Sequence, residues 1–182
     1  MTLNDIQNFF NQIKPGDLYN EASVQYELGC YLRGALSNSK IHFERNISYL
    51  NIKKGCLPKS EMDLLVEQNS QFWVIEIKAP LNQAKARPVT VFEWIEDLKF
   101  LEKLKSKGYS GFSIFITDQQ GYKLGSKKTG KLLTDIRAGV IHGTYKRKST
   151  STVPKDKISL SQTYNINWFK TSSGFDYLVF VF

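Results

Sequence analysis

The chain has 182 residues, 41% of them hydrophobic and 13% aromatic, enough to bury a core and to exclude disorder of the whole chain. No run approaches the ~18 consecutive apolar residues of a membrane span, and residues 1–17 lack the basic and then apolar pattern of a secretory signal. A soluble, cytoplasmic protein with one domain over 1–182 is expected, with Cys30 and Cys56 as reduced thiols. The net charge is +8 and the pI about 9.4, a balance that points to a polyanionic partner, most simply nucleic acid.

That charge is not spread evenly. Residues 121–157 hold ten Lys/Arg against Asp135 and Asp156, so this one segment carries the whole excess and the rest of the chain is neutral. Within it, Lys127, Lys128, Lys131, Lys146, Arg147 and Lys148 are the candidates for holding a phosphate backbone.

In chain order, residues 20–36 place Val24, Leu28, Tyr31, Leu32 and Ala35 at helical spacing, with Asn20 as N-cap and Glu21 in the first turn. Residues 41–52 alternate in a strand-like way, and Gly55 and Pro58 break the run that follows. Residues 61–67 and 72–79 are β-rich and joined by the polar Gln68-Asn69-Ser70-Gln71, and Pro80 closes the second run. A helix is expected over 89–106, with the stripe Val91, Trp94, Ile95, Leu98, Leu101 and Leu104. Residues 111–118 read as a buried strand and 175–182 as a closing strand, while 143–158 reads as a long loop. Three consecutive strands followed by a helix and a strand predict an α/β/α sandwich around a mixed sheet.

Alternation in the second β-rich run puts Glu76 and Lys78 on one side and Trp73, Ile75, Ile77 and Ala79 on the other. A hairpin centred between Asn69 and Ser70 makes paired residue numbers add to 139 and sets Asp63 opposite Glu76. Such neighbours lie about 4.5–5.5 Å apart at Cβ. Two carboxylates that close repel unless a cation joins them, and hard oxygen ligands of this kind suit Mg²⁺. Lys78 beside that ion could position or deprotonate an attacking water, or stabilise the charge of a phosphorane. A solvent-facing hairpin with ordinary cross-strand salt bridges would use the same residues. The apolar neighbours in both strands and the flanking helices argue for covered faces instead, where buried charges need a partner.

Asp63, a spacing of thirteen, and then Glu76-Ile77-Lys78 resembles the PD-(D/E)XK nuclease superfamily, the restriction-endonuclease-like fold. The αβββαβ order over about 20–118 is similar to that superfamily's core, and the basic tail lies outside the match. Met62 stands where the family often has proline. The resemblance implies a Mg²⁺-dependent DNA endonuclease, with Mn²⁺ able to substitute. It assigns metal binding to Asp63, Glu76 and the Ile77 backbone carbonyl, and water activation to Lys78. It also implies a further glutamate from the first helix. Glu21, with Val24 and Leu28 at i+3 and i+7, is favoured, and Glu27 is the alternative. Double-strand cutting by this fold commonly uses two sites, which implies a homodimer or a partner subunit. The reading from another class is a DNA-binding module that keeps the fold without turnover.

Other signals carry less. Gly125, Gly130 and Lys131 fit part of a phosphate-binding loop, but Leu132 replaces the Ser/Thr that would hold Mg²⁺. His42 and His142 are not at zinc spacing with a cysteine. Trp94 and Phe100 read as core, and Tyr145, beside Lys146, as a base-stacking residue.

Overall fold

The computed structural model describes residues 1–82, 87–124, 131–146 and 157–182, with the side chain of Arg87 outside the description. Its elements in chain order are α1 (Leu3–Gln12), α2 (Glu21–Ala35), β1 (Ser39–Asn46), a 3-10 turn (Ile47–Leu50), β2 (Glu61–Gln68), β3 (Gln71–Lys78), α3 (Arg87–Lys105) and β4 (Ser110–Thr117). There follow α4 (Gln120–Leu124), α5 (Lys131–Ala138), β5 (Val140–Ile141), β6 (Thr144–Lys146), β7 (Lys157–Ser159), β8 (Tyr164–Asn165), β9 (Phe169–Lys170) and β10 (Asp176–Val181).

Six strands form one mixed sheet in the order β1-β2-β3-β4-β10-β9. All neighbours run antiparallel except β3 and β4, which are parallel and are joined through α3. One face packs Ile6 and Phe10 of α1 and Val24, Leu28 and Leu32 of α2 against Leu64, Ile75, Ile77 and Ile114. The other packs Trp94, Ile95, Leu98 and Leu101 of α3, with Leu133 and Ile136 of α5, against Leu65, Val74, Phe115 and Leu178. Helices on both faces of a mixed sheet make the α/β/α sandwich that the pattern predicts.

The hairpin between β2 and β3 follows from its turn. Asn69 and Ser70 both adopt positive φ, 51° and 62°, the backbone of a two-residue primed turn whose twist matches the strands. Leu64 then pairs with Ile75 and Gln68 with Gln71, the expected register. Asn20 caps α2 by accepting from the Ser23 N–H at 2.8 Å, also as expected. Gly111, where β4 passes beneath α3, makes the parallel pair possible at this depth. A Cβ there would lie 2.7 Å from the Val74 carbonyl oxygen and 2.8 Å from Leu101 Cδ2.

Three expectations change. The stretch read as a loop over 143–158 holds Thr144–Lys146 and the start of Lys157–Ser159, which pair antiparallel as β6 and β7. The strand expected over 41–52 ends at Asn46, whose side chain accepts from the Ser48 N–H at 2.9 Å and starts the 3-10 turn. Helix α1 stands outside the expected elements. Its burial stripe is Ile6, Phe9, Phe10 and then Ile13 at the cap, and Asp5 Oδ2 accepts the Thr2 backbone N–H at 2.6 Å. No described helix is long and apolar enough to cross a membrane.

Candidate functional site

Strand alternation sends Val74 into the α3-side core and Ile75 and Ile77 into the opposite one, so Glu76 and Lys78 face α3. Asp63 shares that face with Leu65, and its Oδ2 accepts the Ile77 backbone N–H across the hairpin at 2.7 Å. The three predicted residues therefore meet at the end of the β2–β3 ladder. Glu76 is 1% exposed.

Two residues without a part in the motif complete the cluster. Lys59, from the turn before β2, sends its ammonium between the carboxylates. It donates to Glu76 Oε2, lies 3.2 Å from Asp97 Oδ1 and lies 3.7 Å from Asp63 Oδ1. Its Nζ sits 5.4 Å from the centre of the Phe100 ring. Asp97, from α3, is 4% exposed, and its Oδ2 faces Lys78 Nζ at 3.4 Å. Asp97 was legible: it lies three residues after Trp94 and four before Leu101, within the apolar stripe of the helix. A carboxylate on a buried stripe needs a partner. Lys59 carries no such signal, being one of several lysines in a turn.

Glu21 reaches the same place from the N-terminus of α2. Its Oε1 lies 3.2 Å from Lys78 Nζ, and its Oε2 accepts the Ala79 N–H at 3.2 Å. Glu27 instead lines a groove with Phe9, Gln12 and Tyr31 between α1 and α2. Of the two glutamates, the fold brings Glu21 to the cluster.

Burial, reinforced by Asp63, holds the Glu76 carboxyl well above the usual carboxylate range despite Lys59. Burial likewise pushes Asp97 up to about 6 against the pull of Lys59 and Lys78. Both lysines move the other way from what burial alone would do. Glu76, Asp97 and Asp63 together hold Lys59 above the ordinary lysine value, and Asp97, Glu21 and Asp63 do so for Lys78. Both ammoniums thus stay charged. A cavity of about 250 Å³ opens beside them, lined by Pro58, Lys59, Lys78, Glu93, Glu96 and Asp97.

The donor set is all oxygen: four carboxylates, plus the Ile77 carbonyl, which already receives Lys78 Nζ at 3.4 Å. Among the described residues no three His, Cys, Asp or Glu side chains converge as a ready metal cage. Asp63, Glu76 and Asp97 gather around the Lys59 ammonium, while Glu21 and the Ile77 carbonyl face Lys78. Glu76 Oε1, fully buried, has no hydrogen-bond partner. A hard divalent cation fits that donor chemistry.

The basic residues divide. Lys127, Lys128, Arg147 and Lys148 lie outside the described residues, as do Gly125 and Gly130. Lys131 pairs with Asp135 and donates to the His142 carbonyl at 3.1 Å. Lys146 is exposed on β6, directly opposite Lys157 of β7. Tyr145 is not a stacking surface. It is 2% exposed, with its hydroxyl donating to Asp135 at 2.7 Å and accepting the His142 N–H at 2.9 Å. Trp94 and Phe100 are buried as expected, and Trp94 Nε1 donates to Ser113 at 2.9 Å.

No protein-family model, curated protein or solved structure matches this chain.

Proposed function

We propose that this protein is a Mg²⁺-dependent endonuclease hydrolysing DNA phosphodiesters at the Asp63–Glu76–Lys78 cluster. The observation that carries the reading is the meeting of Asp63, Glu76 and Glu21 with Lys78 at one end of the β2–β3 hairpin, with the buried Glu76 Oε1 lacking a partner. Asp97 Oδ2, in the same cluster, is likewise buried without a hydrogen-bond partner.

In this reading Asp63, Glu76 and the Ile77 carbonyl hold the metal, with Glu21 assisting. When bound there, the ion would supply an activated water and polarise the phosphoryl oxygen. Asp63 is oriented by the Ile77 N–H, and Glu21 by the Ala79 N–H, so neither carboxylate has to be ordered during the reaction. Lys78 is held protonated by its carboxylate neighbours, which favours stabilising the developing phosphorane charge over abstracting a proton.

Support for a nucleic-acid substrate comes from the surface beside the cluster. A second cavity of about 300 Å³ shares Pro58 and Glu96 with the first and is lined by Lys99, Lys103 and Lys157. Along α3, Lys103 lies six residues beyond Asp97, about 9 Å at 1.5 Å per residue, or roughly two to three nucleotides at 3.4 Å each. Lys157 and Lys146 face each other across β6 and β7, a like-charge pair that a phosphate would relieve.

The test is incubation of supercoiled plasmid DNA with Mg²⁺ or with a chelator. The wild-type chain should nick or linearise it only with Mg²⁺, and Asp63→Ala should not. Cleavage that survives Asp63→Ala would overturn the site. The second reading, DNA binding without turnover, is favoured by the seat of Lys59 among the carboxylates. Binding with no cleavage in Mg²⁺ or Mn²⁺ would establish it.

A further inference from the structure

The ammonium of Lys59 occupies the centre of an acidic cluster whose two most buried members, Glu76 and Asp97, are 1% and 4% exposed. It touches Glu76, lies 3.2 Å from Asp97 and approaches Asp63 to 3.7 Å. Without Lys59, the four carboxylates Glu21, Asp63, Glu76 and Asp97 together with Lys78 carry a formal charge of −3. The single ammonium brings this to −2, whereas a divalent ion in its place would bring it to −1. Buried carboxylates left without a cation are strongly destabilised, and a divalent ion would leave less uncompensated charge than one ammonium. Lys59 is also able to leave. It comes from an irregular turn, with Pro58 and Lys59 on the wall of an open cavity, and its side chain is 28% exposed, against 0% for Glu76 and 5% for Asp97.

Resting on the metal-dependent reading above, we propose that Lys59 is a built-in competitor of the metal and that Asp97 is a further carboxylate of the metal site. The ammonium neutralises Glu76, Asp97 and Asp63 in the metal-free protein and must withdraw into the cavity for a divalent ion to enter. Asp97 then turns from the partner of Lys59 into a partner of the ion, while its Oδ2 keeps Lys78 in place. The consequence is a threshold. The protein stays folded with no metal, and the apparent metal affinity is reduced by the fraction of molecules with Lys59 inside.

Titration of the whole chain with Mn²⁺ alone, followed calorimetrically, tests this. Lys59→Met keeps the aliphatic stem and removes the charge. It should bind Mn²⁺ roughly ten- to a hundredfold more tightly than wild type, the range expected when the open state is a 1–10% minority. Lys59→Arg should stay near the wild-type affinity. Adding Asp97→Asn to Lys59→Met should weaken binding at least about tenfold. Wild-type and Lys59→Met affinities that coincide would overturn the role of Lys59, and an unchanged affinity in the double variant would overturn that of Asp97. If neither wild type nor Lys59→Met binds Mn²⁺, the metal-dependent reading falls and takes this proposal with it. A second measurement needs no variant. Acylation of wild-type lysines, read by mass spectrometry, should show Lys59 protected without Mn²⁺ and reactive with it, and equal reactivity in the two conditions would overturn the proposal.

Discussion

The Asp63 carboxylate accepts the Ile77 backbone N–H at 2.7 Å, so a side chain of β2 is tied to the backbone of β3 between Glu76 and Lys78. One oxygen of Asp63 is thereby fixed, and the other is turned toward Lys59 at 3.7 Å. Asp63→Asn keeps a carbonyl oxygen for the Ile77 N–H but loses the charge. It should fold with a thermal midpoint within a few degrees of wild type, yet cleave DNA at least about a hundredfold more slowly in Mg²⁺. Thermal unfolding and a cleavage time course on the same preparation check both halves. A fully active Asp63→Asn would remove Asp63 from the metal site.

The lysines beside the cluster should set the salt dependence of binding. Each phosphate contact contributes roughly 0.9 to the slope of log K against log salt on duplex DNA. Lys103→Ala with Lys157→Ala should lower that slope by about 2 and weaken binding alike on unrelated sequences. Fluorescence anisotropy at several salt concentrations measures it. An unchanged slope would move the substrate elsewhere.

Glu102 predicts an acid limit to stability remote from the chemistry. Burial pushes its carboxyl up, but Lys99, Ser161 and Tyr164 together outweigh this and hold it below the ordinary glutamate value. It accepts the Ser161 N–H at 2.8 Å, the Gln162 N–H at 3.0 Å and the Tyr164 hydroxyl at 3.0 Å, pinning that segment to α3. A carboxylate lowered in the fold gives stability that is present above its unfolded value, 4.5, and is lost as pH falls through the folded value. Glu102→Gln should cost about 2–3 kcal/mol at neutral pH. Denaturant melts from pH 7 down to 3 should show wild type losing that advantage and converging on the variant. Parallel curves across the range would contradict this.

How far the sequence carries is clear from particular residues. Asn69-Ser70 fixes a two-residue turn, and period-two alternation then places Asp63, Glu76 and Lys78 on one face without further information. Asn20 and the stripe behind Glu21 set the phase of α2, which brings Glu21 and not Glu27 to Lys78 and Ala79. Lys59 was not legible, because a lysine in an irregular turn has no period to give it a direction. Tyr145 misled for a related reason. Its basic neighbours describe the surface, while its own burial depends on Asp135 and His142, which fold back onto it.

Metal-dependent cleavage at Lys78 is read most directly from the single-turnover rate on a labelled DNA duplex in Mg²⁺, for wild type and Lys78→Ala. Cleavage by wild type, its loss on chelation, and a rate at least about a hundredfold lower in Lys78→Ala with Mn²⁺ and DNA affinities kept within a few-fold are the predicted results. Equal rates in the two proteins, or no cleavage by wild type in either Mg²⁺ or Mn²⁺, would contradict the account.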